Sequence, residues 1–389
     1  MNMESKKVVS YYVEFNSMFF QKENLLKPLL LAKSLGCKCE IYYGQNTDVN
    51  PLPNNYNGAD LICQNYKGEG IMQFIKVSWV IIKEAKNICN LMTFHAGRNI
   101  AFFTLLLKFI NPKASVWVSG DIEIGYAYRD LSNMLCKKKG LKGLLTNYLY
   151  KSFFNKLDVY TVETKRVYYA LKPLFDQNGL NNLVYQPCGV DKDNLNKLVI
   201  PSISKKENIV LSVSRFGPHQ KNTEMLLDGL AKAELKDWKV FLVGPITTDF
   251  SLNKSSVFNE YIESFFETHP QLKEKIIFTG PIFDAKELNE LFSKAKIFVM
   301  TSRHEAFANV FAQARWYRCH ILSTDVGGAQ DMSNDWEYGT CTNQEDPDDF
   351  ADKLSKLIDG EINYPTESFA SEICYQYLLE KTIKPYISV

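Results

Sequence analysis

The sequence has no excess of charge of either sign: 45 lysines and arginines stand against 44 aspartates and glutamates, a formal charge of +1. That balance excludes a strongly basic nucleic-acid binder and makes any basic surface a local one. Among nine cysteines there is no Cys-x-x-Cys pair, and no histidines stand near them at a zinc-like spacing. An unpaired count of this kind reads as reduced thiols in a cytosolic protein. Long hydrophobic runs are missing as well. The longest apolar stretch, residues 100–110, is about half the length that spans a bilayer. The first residues, Met1-Asn2-Met3-Glu4-Ser5-Lys6-Lys7, hold no apolar signal core. These absences predict a cytoplasmic chain that crosses no membrane and is free to lie on the inner face of one.

What is present is a repeated alternation. Short apolar runs at 8–13, 39–43, 90–94, 116–118 and 159–162 have the length and composition of buried strands. Amphipathic stretches at 25–35, 71–85 and 100–110 lie between them. This is the pattern of a parallel, doubly wound sheet. Residues 191–208 interrupt it with a polar, lysine-rich linker, and a second alternation follows, with strands at 209–213, 240–243, 276–278, 297–300 and 321–324. A chain of 389 residues is too long for one ordinary core. The expectation is therefore an α/β protein of two Rossmann-like domains facing a central cleft. They cover 1–198 and 199–370, and a helical segment, 371–389, crosses back to the first. In such sheets ligands gather at the carboxyl ends of the strands.

Three loops of the second half stand at those ends. Ser214 to Thr223 carries Arg215 and Lys221 around a Gly-Pro turn just ahead of a helix start, and two cations at a helix N-terminus suit a diphosphate. In Thr301 to Ala314, Glu305 falls where a helix is expected to begin, with a carboxylate able to accept from sugar hydroxyls. Gln313 lies two turns further on. In Thr324-Asp325-Val326-Gly327-Gly328, paired glycines let a backbone approach its neighbour closely. The bland readings of the first two are a solvated basic turn and a carboxylate favoured by the helix dipole, with Gln313 merely polar; alone, the glycine pair is a weak signal.

Taken in order, Arg215…Lys221, Phe278-Thr279-Gly280-Pro281, Ser302…Glu305-Ala306-Phe307…Asn309-Val310…Gln313-Ala314 and Thr324-Asp325-Val326-Gly327-Gly328 resemble the successive motifs of family 4 retaining glycosyltransferases. Pro187-Cys188-Gly189-Val190-Asp191 resembles that family's segment before the linker. The resemblance is specific over residues 205–360; the first half matches in pattern only. It implies the GT-B fold and a hexosyl transfer from a nucleoside-diphosphate sugar, retaining and metal-independent, in surface polysaccharide or glycoconjugate synthesis. It further implies that Arg215 and Lys221 grip the diphosphate and that Gly280, Pro281 and Ile282 meet the base. Glu305 would touch the sugar, while Ala306, Phe307, Ala308, Asn309 and Val310 help hold sugar and phosphate. Gln313 stands where the family has a ribose-binding glutamate, and Ala306 where it usually has glycine. No cofactor is implied beyond the donor itself, and no Asp-x-Asp metal motif is present, Asp346-Pro347-Asp348-Asp349 coming nearest.

In the first half, His95 and Asp121 follow strands and are the candidates for the catalytic end, joined more weakly by Glu163. Residues 131–157 contain no acidic residue. Lys137, Lys138, Lys139 and Lys142 and the apolar spacing Leu141, Leu144, Leu145, Tyr148, Leu149 suggest a basic helix for an anionic membrane surface. The alternative is a core-packed helix with solvated lysines. The acceptor would be a glycan or a lipid-linked sugar. A degenerate GT-B protein that binds without catalysing, or a sugar-nucleotide epimerase of similar fold, are the competing functions.

Overall fold

The computed structural model describes residues 6–120, 123–135, 139–193, 200–247 and 255–387. Its contacts divide the chain into two compact units, Met1–Pro187 with Tyr375–Val389, and Cys188–Cys374. The 198/199 boundary expected from composition lies outside the described residues.

The first unit is built on eight strands: β1 (Lys7–Phe15), β2 (Lys38–Asn46), β3 (Asn55–Tyr56), β4 (Ala59–Cys63), β5 (Ile88–Phe94), β6 (Ser115–Gly120), β7 (Val159–Val162) and β8 (Leu183–Tyr185). They are ordered β3-β4-β2-β1-β5-β6-β7-β8, parallel except for the β3–β4 pair. The chain winds one way from β1 through helix α1 (Glu23–Leu35) to β2 and the other way from β5 onward, so direction reverses between β1 and β5. Right-handed crossovers then put α1 on one face. On the other face stand α2 (Ile71–Glu84), α3 (Arg98–Ile110), α4 (Ile124–Leu135), α5 (Gly140–Lys156) and α6 (Lys165–Gln177). Buried side chains of these five, among them Val80, Phe103, Leu131, Phe153 and Leu171, share one core with Leu91, Val116 and Tyr160 of the sheet.

The second unit has six parallel strands, β9 (Glu207–Val213), β10 (Lys239–Val243), β11 (Ile276–Gly280), β12 (Ala295–Met300), β13 (His320–Thr324) and β14 (Gly339–Thr342), ordered β11-β10-β9-β12-β13-β14. Helices α7 (Thr223–Lys232), α8 (Ser255–Thr268), α9 (Ala285–Lys294) and α10 (Asn309–Trp316) connect them. Winding reverses between β9 and β12. Such a reversal leaves a crevice at the carboxyl edge, because the flanking connections leave on opposite faces. The linker expected up to residue 208 ends sooner: Glu207 and Asn208 already belong to β9, and the Lys206 ammonium is buried against the carbonyl of Ala295. No helix among the described residues is long and apolar enough to cross a membrane.

Candidate functional site

The Arg215–Lys221 loop and the loop carrying Glu305 leave the two strands that flank the reversal, β9 and β12, and the structure brings them together. Lys221 Nζ lies 2.5 Å from Glu305 Oε1, and both side chains are nearly closed to solvent, at 13% and 10% exposure. Gln220 Nε2 donates to Glu305 Oε2 at 3.3 Å and to the carbonyl of His304 at 2.9 Å. The carboxylate is thus aimed by two groups from the neighbouring loop. Glu305 is not at a helix start: α10 begins at Asn309, with Ala308 as its cap residue, so residues 301–308 form an irregular bridge with bends at Arg303 and Ala306. Its first turn leaves the N–H groups of Asn309 and Val310 without intrahelical partners. Gln313 falls in the second turn of α10 and is half-buried, and no bond joins its side chain to Glu305 among the described residues.

Two glycines fix this bridge. A Cβ on Gly327 would stand 2.0 Å from the Ala306 carbonyl oxygen and 2.5 Å from that of Glu305. The Gly327 N–H instead donates to Glu305 O at 3.2 Å, and its carbonyl accepts from Ala308 N. Gly328 has φ +90° and lies under the Phe307 ring. The backbone that this glycine pair approaches is therefore the 305–308 loop. On the other side of the crevice Gly217, φ +108°, leaves no room for a Cβ against Thr247 O, and its N–H donates to Thr223 Oγ1.

Arg215 stands exposed beside this frame, and among the described residues no hydrogen bond or ion pair engages its guanidinium. Gly280, φ +71°, accepts from Gly244 N at the end of β11, and the exposed Pro281 and half-buried Ile282 follow, two strands away from β9.

A buttress unforeseen in the sequence stands behind Lys221. Arg303 grips Glu345 with both arms, Nε to Oε1 at 2.6 Å and Nη2 to Oε2 at 2.9 Å, and Nη1 donates to the carbonyl of His219 at 2.5 Å. Glu345 also accepts from Asn222, the left-handed cap of α7. The Arg303 fork holds the Glu345 carboxyl below its ordinary range. A depressed carboxyl contributes stability that is complete above its unfolded value, about 4.3. We expect the order of the 219–222 turn to be kept at neutral pH and lost as pH falls below that value through the folded one. Amide exchange of residues 219–222 against pH checks this, and Glu345→Gln flattens the profile. Unchanged exchange down to pH values below the unfolded one would remove the buttress from the account.

In the first unit His95 follows β5 at the reversal, exposed, with φ +57° and its N–H on the carbonyl of Ser119. Asp121, Lys137 and Lys138 lie outside the described residues. Glu163 is consumed in a buried ion pair with Lys27 at 2.7 Å, whose ammonium also donates to Ser119 Oγ. Among the described residues no cluster of three or more His, Cys, Asp or Glu side chains is arranged to hold a metal.

Residues 195–369 match the family described as glycosyl transferases group 1. A probable sucrose-phosphate synthase of Thermosipho melanesiensis is 23% identical over 237 residues, 60% of this chain and 49% of that protein. The amylovoran biosynthesis glycosyltransferase AmsD of Erwinia amylovora is 27% identical over 160 residues, 41% of this chain and 40% of that protein. The chain thus spans half or less of the curated relatives it matches. Among solved structures, Anabaena Alr3699/HepE in complex with UDP superposes with a TM-score of 0.60 at 15% identity, over 94% of this chain and 95% of that one. The fold is the two-domain, Rossmann-like GT-B fold.

Proposed function

The chain carries a glycosyl transferases group 1 domain over residues 195–369, and from that premise we propose that the whole protein moves a hexose from a nucleoside-diphosphate sugar to a glycan or lipid-linked acceptor. The observation that carries this reading is the Lys221–Glu305 pair at the reversal of the second sheet, with the exposed Arg215 beside it. An anionic donor needs a cation and orphan N–H groups where its diphosphate lies, and a carboxylate where its sugar hydroxyls lie. Arg215 and the first turn of α10 supply the former. Glu305 supplies the latter, because Lys221 and Gln220 hold its oxygens in place before the sugar arrives. Lys221 answers to both partners: its ammonium neutralises Glu305 and stands at the edge of the diphosphate position.

In this reading Gln313 accepts from the ribose, Pro281 and Ile282 border the base, and His95 and Asp121 are the candidates for the catalytic groups. Transfer proceeds with retention and without a metal ion, the departing diphosphate being stabilised by fixed cations and helix dipole. UDP in the Anabaena structure favours a uridine nucleotide as donor, and the amylovoran relative favours a polysaccharide or glycoconjugate product. A protein that binds the donor without using it is the second reading, favoured by Gln313 and Ala306 where the resembling family has glutamate and glycine.

Release of nucleoside diphosphate from a panel of sugar nucleotides tests the proposal. One donor is expected to turn over, and Arg215→Ala to lower kcat/KM by about 10- to 100-fold, the worth of one or two charge-assisted hydrogen bonds. The same variant weakens binding of the diphosphate and spares the bare nucleoside. Binding without turnover by the wild type would favour the second reading, and equal losses for both ligands would move Arg215 away from the phosphates.

A further inference from the structure

Helix α2 is apolar on two opposite sides. Gln73, Val77, Val80 and Ile81 face the core. Ile71, Met72, Ile75, Trp79 and Ile82 are exposed, and at about 100° per residue they fall within a single arc of about 100°. Helix α5 repeats the arrangement. Tyr150, Phe153 and Phe154 are buried, whereas Leu141, Leu144, Leu145 and Tyr148 form one exposed arc, Leu141 with 78% of its surface in water. The helix is thus core-packed through Tyr150, Phe153 and Phe154, with Leu149 half-buried against them, while the other apolar residues singled out by their spacing lie in the open. Between the two, α3 packs on both, and its Phe102 and Phe109 are exposed as well. Three adjacent helices of one layer therefore present apolar outer faces, and an area of that kind on a soluble surface marks a contact.

The charge around it is one-sided. Residues 71–157 hold 13 lysines and arginines against 4 acidic residues, whereas the rest of the chain holds 32 against 40. Exposed Lys83, Lys86, Lys139, Lys142 and Lys151 rim the apolar arcs, and Lys83 lies over the Trp79 ring. Two copies of the chain meeting through this layer would set like charges against each other. An anionic plane with an apolar interior answers both features at once.

We propose that the outer face of the α2–α3–α5 layer docks on an anionic lipid bilayer, with Trp79, Ile75, Leu144 and Leu145 entering the headgroup boundary and the lysines on lipid phosphates. The attachment is independent of the sugar-transfer reading and stands or falls without it. Leu144 and Tyr148 also line a cavity of about 660 Å³ with Met134, Leu135, Phe154 and Leu180, rimmed by Lys139 and Lys151, so the apolar face continues into a recess between α4 and α5.

Co-sedimentation of the full chain with phosphatidylcholine vesicles, with and without phosphatidylglycerol, tests the proposal. Binding is expected only with the anionic lipid. It weakens as salt shortens the screening length from about 10 Å to about 3 Å. Lys139→Ser, Lys142→Ser and Lys151→Ser together lower the partition coefficient by about 100-fold, at about fivefold per lysine. Ile75→Ser with Trp79→Ser lowers it further while the thermal midpoint stays put, since both side chains are exposed. Several results would overturn the proposal: no binding to either vesicle, equal binding to both, binding that survives both sets of substitutions, or a dimer in solution that Trp79→Ser splits without any vesicle binding.

Discussion

Lys221→Met lowers the stability of the chain by about 2 kcal/mol, and Glu305→Gln placed on top of it restores most of the loss. The reason is the position of the pair. With 13% and 10% of their side chains exposed, neither charge has enough water to stand alone. Removing the ammonium leaves a carboxylate with one neutral donor, Gln220, at 3.3 Å. The penalty belongs to the stranded charge, so neutralising Glu305 removes it. Activity follows a different course. On the proposed reading a glutamine at 305 is a poorer acceptor for sugar hydroxyls, so the double variant regains its stability and not its turnover. Denaturant unfolding and donor turnover on the four proteins of the cycle separate the two effects. Additive stability losses would mean that the two side chains do not meet in solution.

Gly327→Ala reduces kcat/KM by about 100-fold, the size of effect expected when a reacting group moves by about 1 Å. Its Cβ would need the place held by the Ala306 carbonyl oxygen, 2.0 Å away, and this neighbour is backbone with no rotamer to change. The loop from Glu305 to Ala308 must shift, and the carboxylate shifts with it. Overpacking costs stability as well, about 1–3 kcal/mol. Gly125→Ala is the control: nothing lies within 4 Å of its Cβ and it sits in a helix, where alanine is the better residue. Equal activity of Gly327→Ala and Gly125→Ala would show that the glycine pair does not set the Glu305 loop.

Most of the sheet architecture was legible because buried parallel strands are short apolar runs. Those from β1 to β13 that carry such runs, for example Val159–Val162 and Ile297–Met300, could be placed to within a few residues. β14, Gly-Thr-Cys-Thr, has no such run. Its Gly339 is required by the close approach of Ile321 O and Ser333, and that demand is visible only in three dimensions. β3 and β8 are edge strands of two and three residues, too short for any periodicity. At the site, Arg215, Lys221 and Glu305 stood out because cations and a carboxylate followed strands. Arg303 and Glu345 did not, since 42 residues separate them and nothing local marks the pairing. The pairing of Lys27 with Glu163 was hidden for the same reason, since 136 residues separate the two. The helix expected at Glu305 begins at Asn309 because the chain first crosses beneath Gly327 and Gly328, a constraint from another strand.

Calorimetric titration of the wild-type chain with uridine, UDP and a series of UDP-sugars tests the assignment of the β9–β12 crevice most directly. The account predicts that UDP binds more tightly than uridine by at least about tenfold, through Arg215 and the N-terminus of α10. It also predicts that one UDP-sugar gains further affinity which Glu305→Gln removes while leaving UDP itself unaffected. Equal binding of uridine and UDP, or a sugar preference that survives Glu305→Gln, would contradict it.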